Sequence, residues 1–128
     1  MTYPDAVEAT RVGSYPAHAF AGGGYVWDEV LEYRVWCSPG LGAEDGADSF
    51  YAFASFAEAE AAANEVPGAG APVVLVLQRE YIDESEDGVY RHVKRERVTE
   101  WPVEFLTRPR RDERTIPDFL APDAVETP

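Results

Sequence analysis

Hydrophobic and polar residues alternate through residues 25–37 (YVWDEVLEYRVWC) over a longer stretch than in any other part of the chain. A period of two is typical of a β-strand on a core, because successive side chains point to opposite faces of the sheet. A helix would also bring Trp27, Val30 and Leu31 onto one face, but the Tyr, Trp and Val content favours a strand. The face predicted to meet the core carries Tyr25, Trp27, Glu29, Leu31, Tyr33, Val35 and Cys37.

A second, short strand and then a helix are predicted next. The aromatic run at residues 49–54 (SFYAFA) forms the strand, and Ser55 follows it as the N-cap of the helix. Glu58 lies three residues later and completes a capping box, while the alanine-rich sequence up to Glu65 has a high helix propensity. Pro67-Gly68 ends the helix.

Two further long strands are predicted to form a hairpin. Residues 72–83 (PVVLVLQREYID) begin with a continuous apolar run, and residues 89–101 return after the turn sequence Asp87-Gly88. The returning strand is apolar on neither face, which predicts an edge strand protected by charges. Pro117 at a first helical position predicts a short turn of helix over residues 116–120.

These elements predict one α+β domain, with an antiparallel sheet of about four strands and one main helix packed on one face. The order is strand, strand, helix, strand, strand and a short C-terminal element. The domain covers residues 24–120, after a loosely ordered lead-in at residues 1–23 and before a frayed tail at residues 121–128. One helix covers about half of such a sheet, so the aromatic strand needs another cover: the ends of the chain, a second copy or a ligand.

Charge narrows the range of partners. The net charge of the 128 residues is −13; residues 1–90 carry 3 basic and 16 acidic side chains, whereas residues 91–114 carry 8 basic and 5 acidic ones. An acidic body argues against nucleic acid and anionic membranes, because both require a basic contact surface. We expect the basic strip, residues 91–114, to dock on the acidic body of its own chain or of a second copy; an anionic ligand is the alternative.

The single cysteine, Cys37, excludes an internal disulfide and fits a reducing compartment. No run reaches the roughly 20 apolar residues of a membrane span, so we predict a cytoplasmic protein. A catalytic thiol would need a histidine beside it, and nothing in the sequence places His18 or His92 there. We therefore interpret Cys37 as a buried structural thiol.

No metal or phosphate site is predicted. The two histidines lack ligand spacing, and the acidic loops at residues 44–48 and 83–88 lack the spacing of a calcium-binding loop. The run Gly22-Gly23-Gly24 is not followed by Lys-Ser/Thr, so we interpret it as a flexible entry into the first strand.

The candidate binding residues surround the aromatic strand: Trp27, Glu29, Tyr33, Trp36, Arg95 and Trp101. Glu29 is the one charge on the predicted apolar face, and a buried carboxylate requires a basic partner. Arg91, Arg95 or Arg97 across the sheet could serve, which favours a structural ion pair. The alternative is an acid–base pair whose pKa is raised by the surrounding Trp and Tyr rings.

Four segments resemble a family of small uncharacterised bacterial proteins: GGGYVWDEVLEYRVWCSP, SFYAFASFAEAEAA, VLVLQREYIDE and ERVTEWPVEFL. The resemblance covers most of residues 22–120 and brings no mapped catalytic residues. Some members carry an automatic label as GNAT-type N-acetyltransferases, which would imply binding of acetyl-CoA. In that fold an Arg/Gln-x-x-Gly-x-Gly/Ala turn holds the pyrophosphate through backbone amides. This chain has no such sequence, so no cofactor is predicted.

We therefore expect a small cytoplasmic interaction or accessory domain with no catalytic residues. A homodimer through the aromatic strands is one form that it would take. The alternative is a small-molecule-binding domain or minor enzyme with an apolar pocket around Trp27, Tyr33 and Trp36. Neither nucleic acid nor a membrane is expected as a partner.

Overall fold

The structure is a computed structural model that describes residues 3–37 and 49–121. The acidic loop at residues 44–48 and residues 122–128 of the predicted tail lie outside the described residues. Within them, the 3₁₀ helices Ala9–Arg11 and Val103–Thr107 accompany the regular elements. The strands and α-helices are β1 (Phe20–Ala21), β2 (Glu29–Cys37), β3 (Ser49–Phe53), α1 (Phe56–Glu65), β4 (Val73–Gln78), β5 (Tyr81–Glu86), β6 (Val89–Val93), β7 (Arg97–Pro102) and α2 (Thr115–Leu120).

The fold is mixed α+β with one main helix, as the sequence predicts, but it contains two sheets. The larger sheet has 5 strands in the order β1-β7-β4-β2-β3, and the smaller is the hairpin β5-β6. All neighbours in the larger sheet are antiparallel except β1 and β7. The prediction of about four strands in one sheet is therefore wrong. The prediction of an edge for the returning strand holds for β6, which pairs with β5 in the two-stranded sheet, but not for β7, which lies between β1 and β4.

Each long strand of the predicted hairpin is broken into two. Gln78 pairs with Arg97 in the larger sheet, whereas Tyr81 pairs with Val93 in the smaller one. The turn itself is confirmed, with Gly88 at a φ of 79°. Residues 73–102 thus form one bent hairpin whose base belongs to the larger sheet and whose tip stands apart from it.

The bend follows from the side chain of Asp28. Its Oδ2 accepts the backbone N–H of Arg79 at 2.7 Å, and the carbonyl of Gly24 accepts the N–H of Ile82 at 3.1 Å. The segment before β2 therefore satisfies backbone donors that a neighbouring strand would otherwise satisfy. The chain leaves the larger sheet after Gln78 for this reason.

A β-bulge in β2 changes which residues share a face. Val30 pairs with Val76 and Glu32 with Leu75, so Leu31 is the extra residue. The strand also begins at Glu29 and not at Tyr25. Val30 joins the core face, and Glu29 moves to the opposite face, so the predicted alternation through residue 29 is wrong.

The first face of the larger sheet carries the main core. Its buried side chains include Tyr33, Val35, Val74, Val76 and Trp101. Helix α1 covers part of this face with the fully buried Ala59, and the 3₁₀ helix Val103–Thr107 covers more of it. The predicted cap is confirmed, because Ser55 Oγ accepts the N–H of Glu58 at 3.2 Å. The chain itself therefore covers the aromatic residues of β2 on this side.

The second face is covered by the N-terminal lead-in, which is tied to a buried ion pair. Arg34 and Glu32 are both fully buried, with 2.7 Å between Arg34 Nε and Glu32 Oε2. Arg34 Nη2 also donates to the carbonyl of Pro16 at 2.6 Å, and Glu32 Oε1 accepts the N–H of Gly13 at 2.8 Å. Glu100 supplies a second carboxylate, 3.1 Å from Arg34 Nη1.

A second, smaller core joins the hairpin tip to the C-terminal helix. It consists of the buried side chains of Val26, Ile82 and Ile116. The predicted C-terminal helical turn is present, but Pro117 is its third residue because α2 begins at Thr115. Within residues 3–37 and 49–121, no helix is both long and apolar enough to cross a bilayer.

The glycine run wraps around a buried glutamine. Gln78 Nε2 donates to the carbonyls of Gly23 and Val26 at 3.2 and 2.8 Å, and Gln78 Oε1 accepts from Arg97 Nε and Thr99 Oγ1 at 2.8 and 2.6 Å. All four hydrogen-bonding positions of the buried amide are thus used. The glycine run presents carbonyl acceptors to this side chain, whereas a phosphate loop presents amide donors.

Replacing Gly24 with Ala is expected to lower the free energy of unfolding by about 2 kcal/mol or more. Gly24 has a φ of 90°, and a Cβ there would lie 2.4 Å from Gln78 Nε2. The matched control is Gly23→Ala, where a Cβ meets nothing within 4 Å and no unusual φ is required. Urea denaturation of the two variants checks this, and equal stabilities would contradict the proposed packing of Gln78.

Candidate functional site

Three of the sequence-predicted binding residues are part of the main core. Trp27, Tyr33 and Trp101 are at most 7% exposed, and their polar atoms are satisfied within the chain. Trp27 Nε1 donates to the carbonyl of Arg108 at 2.9 Å, and Trp101 Nε1 donates to that of Gly22 at 2.6 Å. The Tyr33 hydroxyl donates to the carbonyl of Pro4. These contacts make the three residues packing residues.

The other three predicted residues lie elsewhere. Trp36 is on the second face, where its Nε1 donates to Glu100 Oε2 at 3.1 Å. Arg95 is exposed in the bend between β6 and β7. Glu29 lies on the second face of β2, towards its N-terminal end. The six residues are therefore not brought together. β2 is also an internal strand, between β4 and β3.

The basic strip docks on the acidic body of its own chain, one of the alternatives drawn from the sequence. Arg110 Nη2 lies 2.6 Å from Glu29 Oε1, and Arg111 Nη2 lies 2.9 Å from the buried Asp28 Oδ1. The hydrogen bond to Asp28 raises the pKa of Arg111. A structural ion pair at Glu29 is thus present, but its partners are Arg110 and, at 3.8 Å, Arg79. The predicted partners Arg91, Arg95 and Arg97 are wrong: Arg91 pairs with Asp83 at the hairpin tip, Arg95 is exposed in the bend, and Arg97 donates to Gln78.

A polar cleft of about 490 Å³ lies between the bend of the hairpin and the C-terminal segment. His92 Nε2 lies 2.6 Å from Glu80 Oε1, and Glu80 Oε2 lies 3.7 Å from Arg111 Nη1. Arg111 in turn holds Asp28, so a chain of charged groups runs from the cleft to the interior. Titratable residues that line the cleft are Glu80, His92, Lys94, Arg111, Asp112 and Glu113.

Cys37 and the possible metal ligands can be placed within the described residues. Cys37 is a buried free thiol at the end of β2, bridged to Ala69 through the backbone. Among residues 3–37 and 49–121, no three His, Cys, Asp or Glu side chains are grouped so that they could hold a metal ion.

An exposed aromatic surface lies on the hairpin tip and α2. Three large apolar side chains are exposed there: Val89 at 47%, Tyr90 at 39% and Phe119 at 45%. The ring centroids of Tyr90 and Phe119 are 5.2 Å apart, and each lies within 6 Å of the partly buried Tyr25 ring. We call Tyr25, Tyr90 and Phe119 the ring patch.

An unusual backbone conformation places Tyr25 in the ring patch. Its φ is 67°, the only positive value at a non-glycine residue in the described part of the chain. This conformation is costly for a bulky side chain and persists only where the surroundings enforce it. Val26 in the second core and Gly24 beside Gln78 hold the neighbouring residues in place.

A carboxylate is fixed at the edge of the ring patch. Glu84 Oε1 accepts the hydroxyl of Tyr25 at 2.6 Å, and Glu84 Oε2 accepts the N–H of Gly88 at 2.9 Å. These hydrogen bonds, that of Tyr25 first, lower the pKa of Glu84. The same hydrogen bond, followed by desolvation and by the charge of Glu84, raises the pKa of Tyr25 to about 12. The carboxylate is thus held ionised and oriented next to exposed rings.

The ring patch could not be recognised from the hydrophobic pattern of the sequence. Its aromatic residues lie at positions 25, 90 and 119, and two of them belong to segments that the hydrophobic pattern marks only as strand. One usable signal was Phe119, an aromatic residue in a short helix of a charged C-terminal region.

Comparison with known protein families, with curated proteins and with solved structures finds no match for this chain. The resemblance noted from the sequence stays a prediction.

Glu84→Gln is expected to lower the pKa of Tyr25 from about 12 towards the ordinary tyrosine value of 10.0. The substitution removes the negative charge and the carboxylate acceptor that disfavour the phenolate. Titration of ring-labelled tyrosines followed by carbon-13 NMR measures this pKa directly. Glu86→Gln, which removes an exposed carboxylate from the same strand, is the control and leaves it unchanged.

Glu84→Gln is also expected to change how the stability of the fold depends on pH in the acid range. The pKa of Glu84 is lower in the folded state, so its contribution to stability is present above its unfolded-state pKa and lost as the pH falls through the folded value. Glu84→Gln removes this part of the pH dependence.

A Tyr25 that titrates near 10 in the wild-type protein would show that the hydrogen bond to Glu84 does not form.

Proposed function

We propose that the protein is a non-enzymatic interaction or accessory domain of the cytoplasm, and that its contact surface is the ring patch. The observation that carries the proposal is the exposure of Tyr90 and Phe119 side by side. Adjacent exposed large apolar residues in a single domain mark an interaction site more often than scattered ones do. The single cysteine supports the proposed reducing compartment.

The construction of the ring patch supports the same function. Its residues come from three separate parts of the chain, and the second core of Val26, Ile82 and Ile116 lies among them. The patch is thus held in one shape before a partner arrives. A surface ordered in advance loses less conformational entropy on binding, and rigid aromatic residues are the side chains most often critical in interfaces.

The partner is a protein, either a second copy of this chain or another polypeptide. A homodimer expected from the sequence would therefore form through the ring patch and not through the aromatic residues of β2. Tyr51 offers a matched comparison, because its side chain is 52% exposed on β3, in the other sheet.

The variant Tyr90→Ser/Phe119→Ser is expected to lose partner binding, while Tyr51→Ser keeps it. Each critical interface aromatic contributes about 2 kcal/mol, so the affinity should fall about 30-fold or more. Partners are captured from a lysate of the source cells, identified by mass spectrometry, and measured again as purified proteins by calorimetry. Sedimentation velocity tests the homodimer. Retention of every partner and of the oligomeric state by the double variant would rule out the ring patch.

A second candidate function is the binding of a small polar molecule in the cleft at His92. The volume of about 490 Å³ falls within the range of small-molecule sites, roughly 300–1,000 Å³. Glu80 holds one nitrogen of the imidazole, and the other, Nδ1, makes no hydrogen bond to any described residue. A polar side chain that is oriented in this way is ready to contact a ligand.

Glycine, acetate and inorganic phosphate are suitable probes for this cleft. If the second candidate is right, at least one of them shifts the imidazole NMR signals of His92 saturably at millimolar concentration. His18 is the internal control, because it is exposed and does not line this cleft. Equal shifts at both histidines, or none at His92, would reject the cleft as a binding site.

A further inference from the structure

Acidic side chains surround the exposed rings. Glu84, Glu86 and Asp87 are exposed at the hairpin tip, and Asp118 precedes Phe119 on α2. Two nearby basic residues are already paired: Arg91 Nη2 lies 3.2 Å from Asp83 Oδ2, and Arg114 Nη2 lies 3.6 Å from Asp118 Oδ1. Arg108 is also close, with its guanidinium over the Tyr25 ring. The ring patch therefore combines apolar ring faces with an excess of negative charge.

The chain itself places cations on rings of this kind. The guanidinium carbon of Arg108 lies 5.2 Å from the centroid of Tyr25, a member of the ring patch, and that of Arg97 lies 3.6 Å from the centroid of Tyr81. No described Arg or Lys occupies the rings of Tyr90 and Phe119 in this way. A cation over an aromatic face is attracted by the negative potential of the ring.

We propose that the ring patch binds a basic polypeptide segment, with a Lys or Arg side chain over the exposed Tyr90 and Phe119 rings and its charge beside Glu84. This inference rests on the proposed function and names the chemistry of the partner. Glu84 is suited to this role because two hydrogen bonds fix its position before binding. Fixed carboxylates lose little freedom when they pair with a cation.

Charge favours this partner over a second copy of the chain. Two copies would each contribute a net charge of −13 and would bring the same acidic rims together. Like charges at an interface oppose association, whereas a basic segment is attracted to the rim from a distance. The same attraction predicts that binding weakens as the salt concentration rises.

A tetra-arginine amide peptide is the probe, and tetraglutamine amide is its neutral counterpart. Nitrogen-15 HSQC titrations of the full chain at low salt are expected to show saturable shifts for tetra-arginine, concentrated at residues 84–90 and 119. Tyr90→Ser/Phe119→Ser should weaken the apparent affinity about three- to thirtyfold, the range of cation–π contacts. Glu84→Gln should weaken it about two- to fivefold, as expected for an exposed ion pair.

Two variants control for charge and for exposed rings in general. Glu60→Gln removes an exposed carboxylate from α1, and Tyr51→Ser removes an exposed ring from β3; both should bind tetra-arginine as the wild-type protein does. The proposal is overturned if Glu60→Gln weakens binding as much as Glu84→Gln, if the shifts spread over the acidic surface, or if tetraglutamine binds equally well. Absence of binding overturns it as well.

The outcome also separates this inference from the proposed function. Suppose that the double ring variant loses its captured partner or its dimer, but tetra-arginine does not bind the wild-type protein. The interaction function then stands and the basic partner is rejected. If tetra-arginine binds at the ring patch while the double ring variant keeps every captured partner, the cation site stands and the interaction function is rejected.

Discussion

The buried guanidinium of Arg34 constrains most of this fold. A buried charge is strongly destabilising unless paired and hydrogen-bonded, and Arg34 lies in the middle of an internal strand. Its donors reach Glu32 and Glu100 within the sheet and the carbonyls of the lead-in outside it. The lead-in is therefore a structural part of the domain, because without it the guanidinium would lose the acceptors at Pro16 and Ala17 and the second face would lose its cover.

Much of the local structure could be predicted from residues close together in the sequence. Ser55 with Glu58 marked the start of α1, and Asp87-Gly88 marked the turn of the hairpin. The bend at residues 79–80 could not be predicted in this way, because it depends on the Asp28 carboxylate, some fifty residues earlier. The bulge at Leu31 could not be predicted for a similar reason. A strand with strict alternation fits the sequence equally well, and only the pairing with β4 shows that a bulged strand forms.

In the candidate site, too, some features could be predicted from the sequence and others depend on distant contacts. The longest aromatic strand attracted attention for binding, yet a strand so rich in Trp, Tyr and Val is what a buried sheet requires. Which aromatic residues remain at the surface depends on how far the second core extends. No local pattern in the sequence reveals the extent of that core. Glu29 was correctly expected to need a basic partner, since that follows from its chemistry; the identity of the partner depends on where the C-terminal segment returns to the sheet.

The left-handed backbone at Tyr25 lowers the stability of the fold, but it places the tyrosine ring in the surface cluster. Left-handed backbone costs an L-residue other than glycine about 1–2 kcal/mol, so a chain selected for stability alone would extend the run Gly22-Gly23-Gly24 by one more glycine. That glycine would remove one ring of the cluster and the hydroxyl that orients Glu84. Retaining tyrosine in this conformation is the pattern expected of a position kept for what its side chain contacts at the surface.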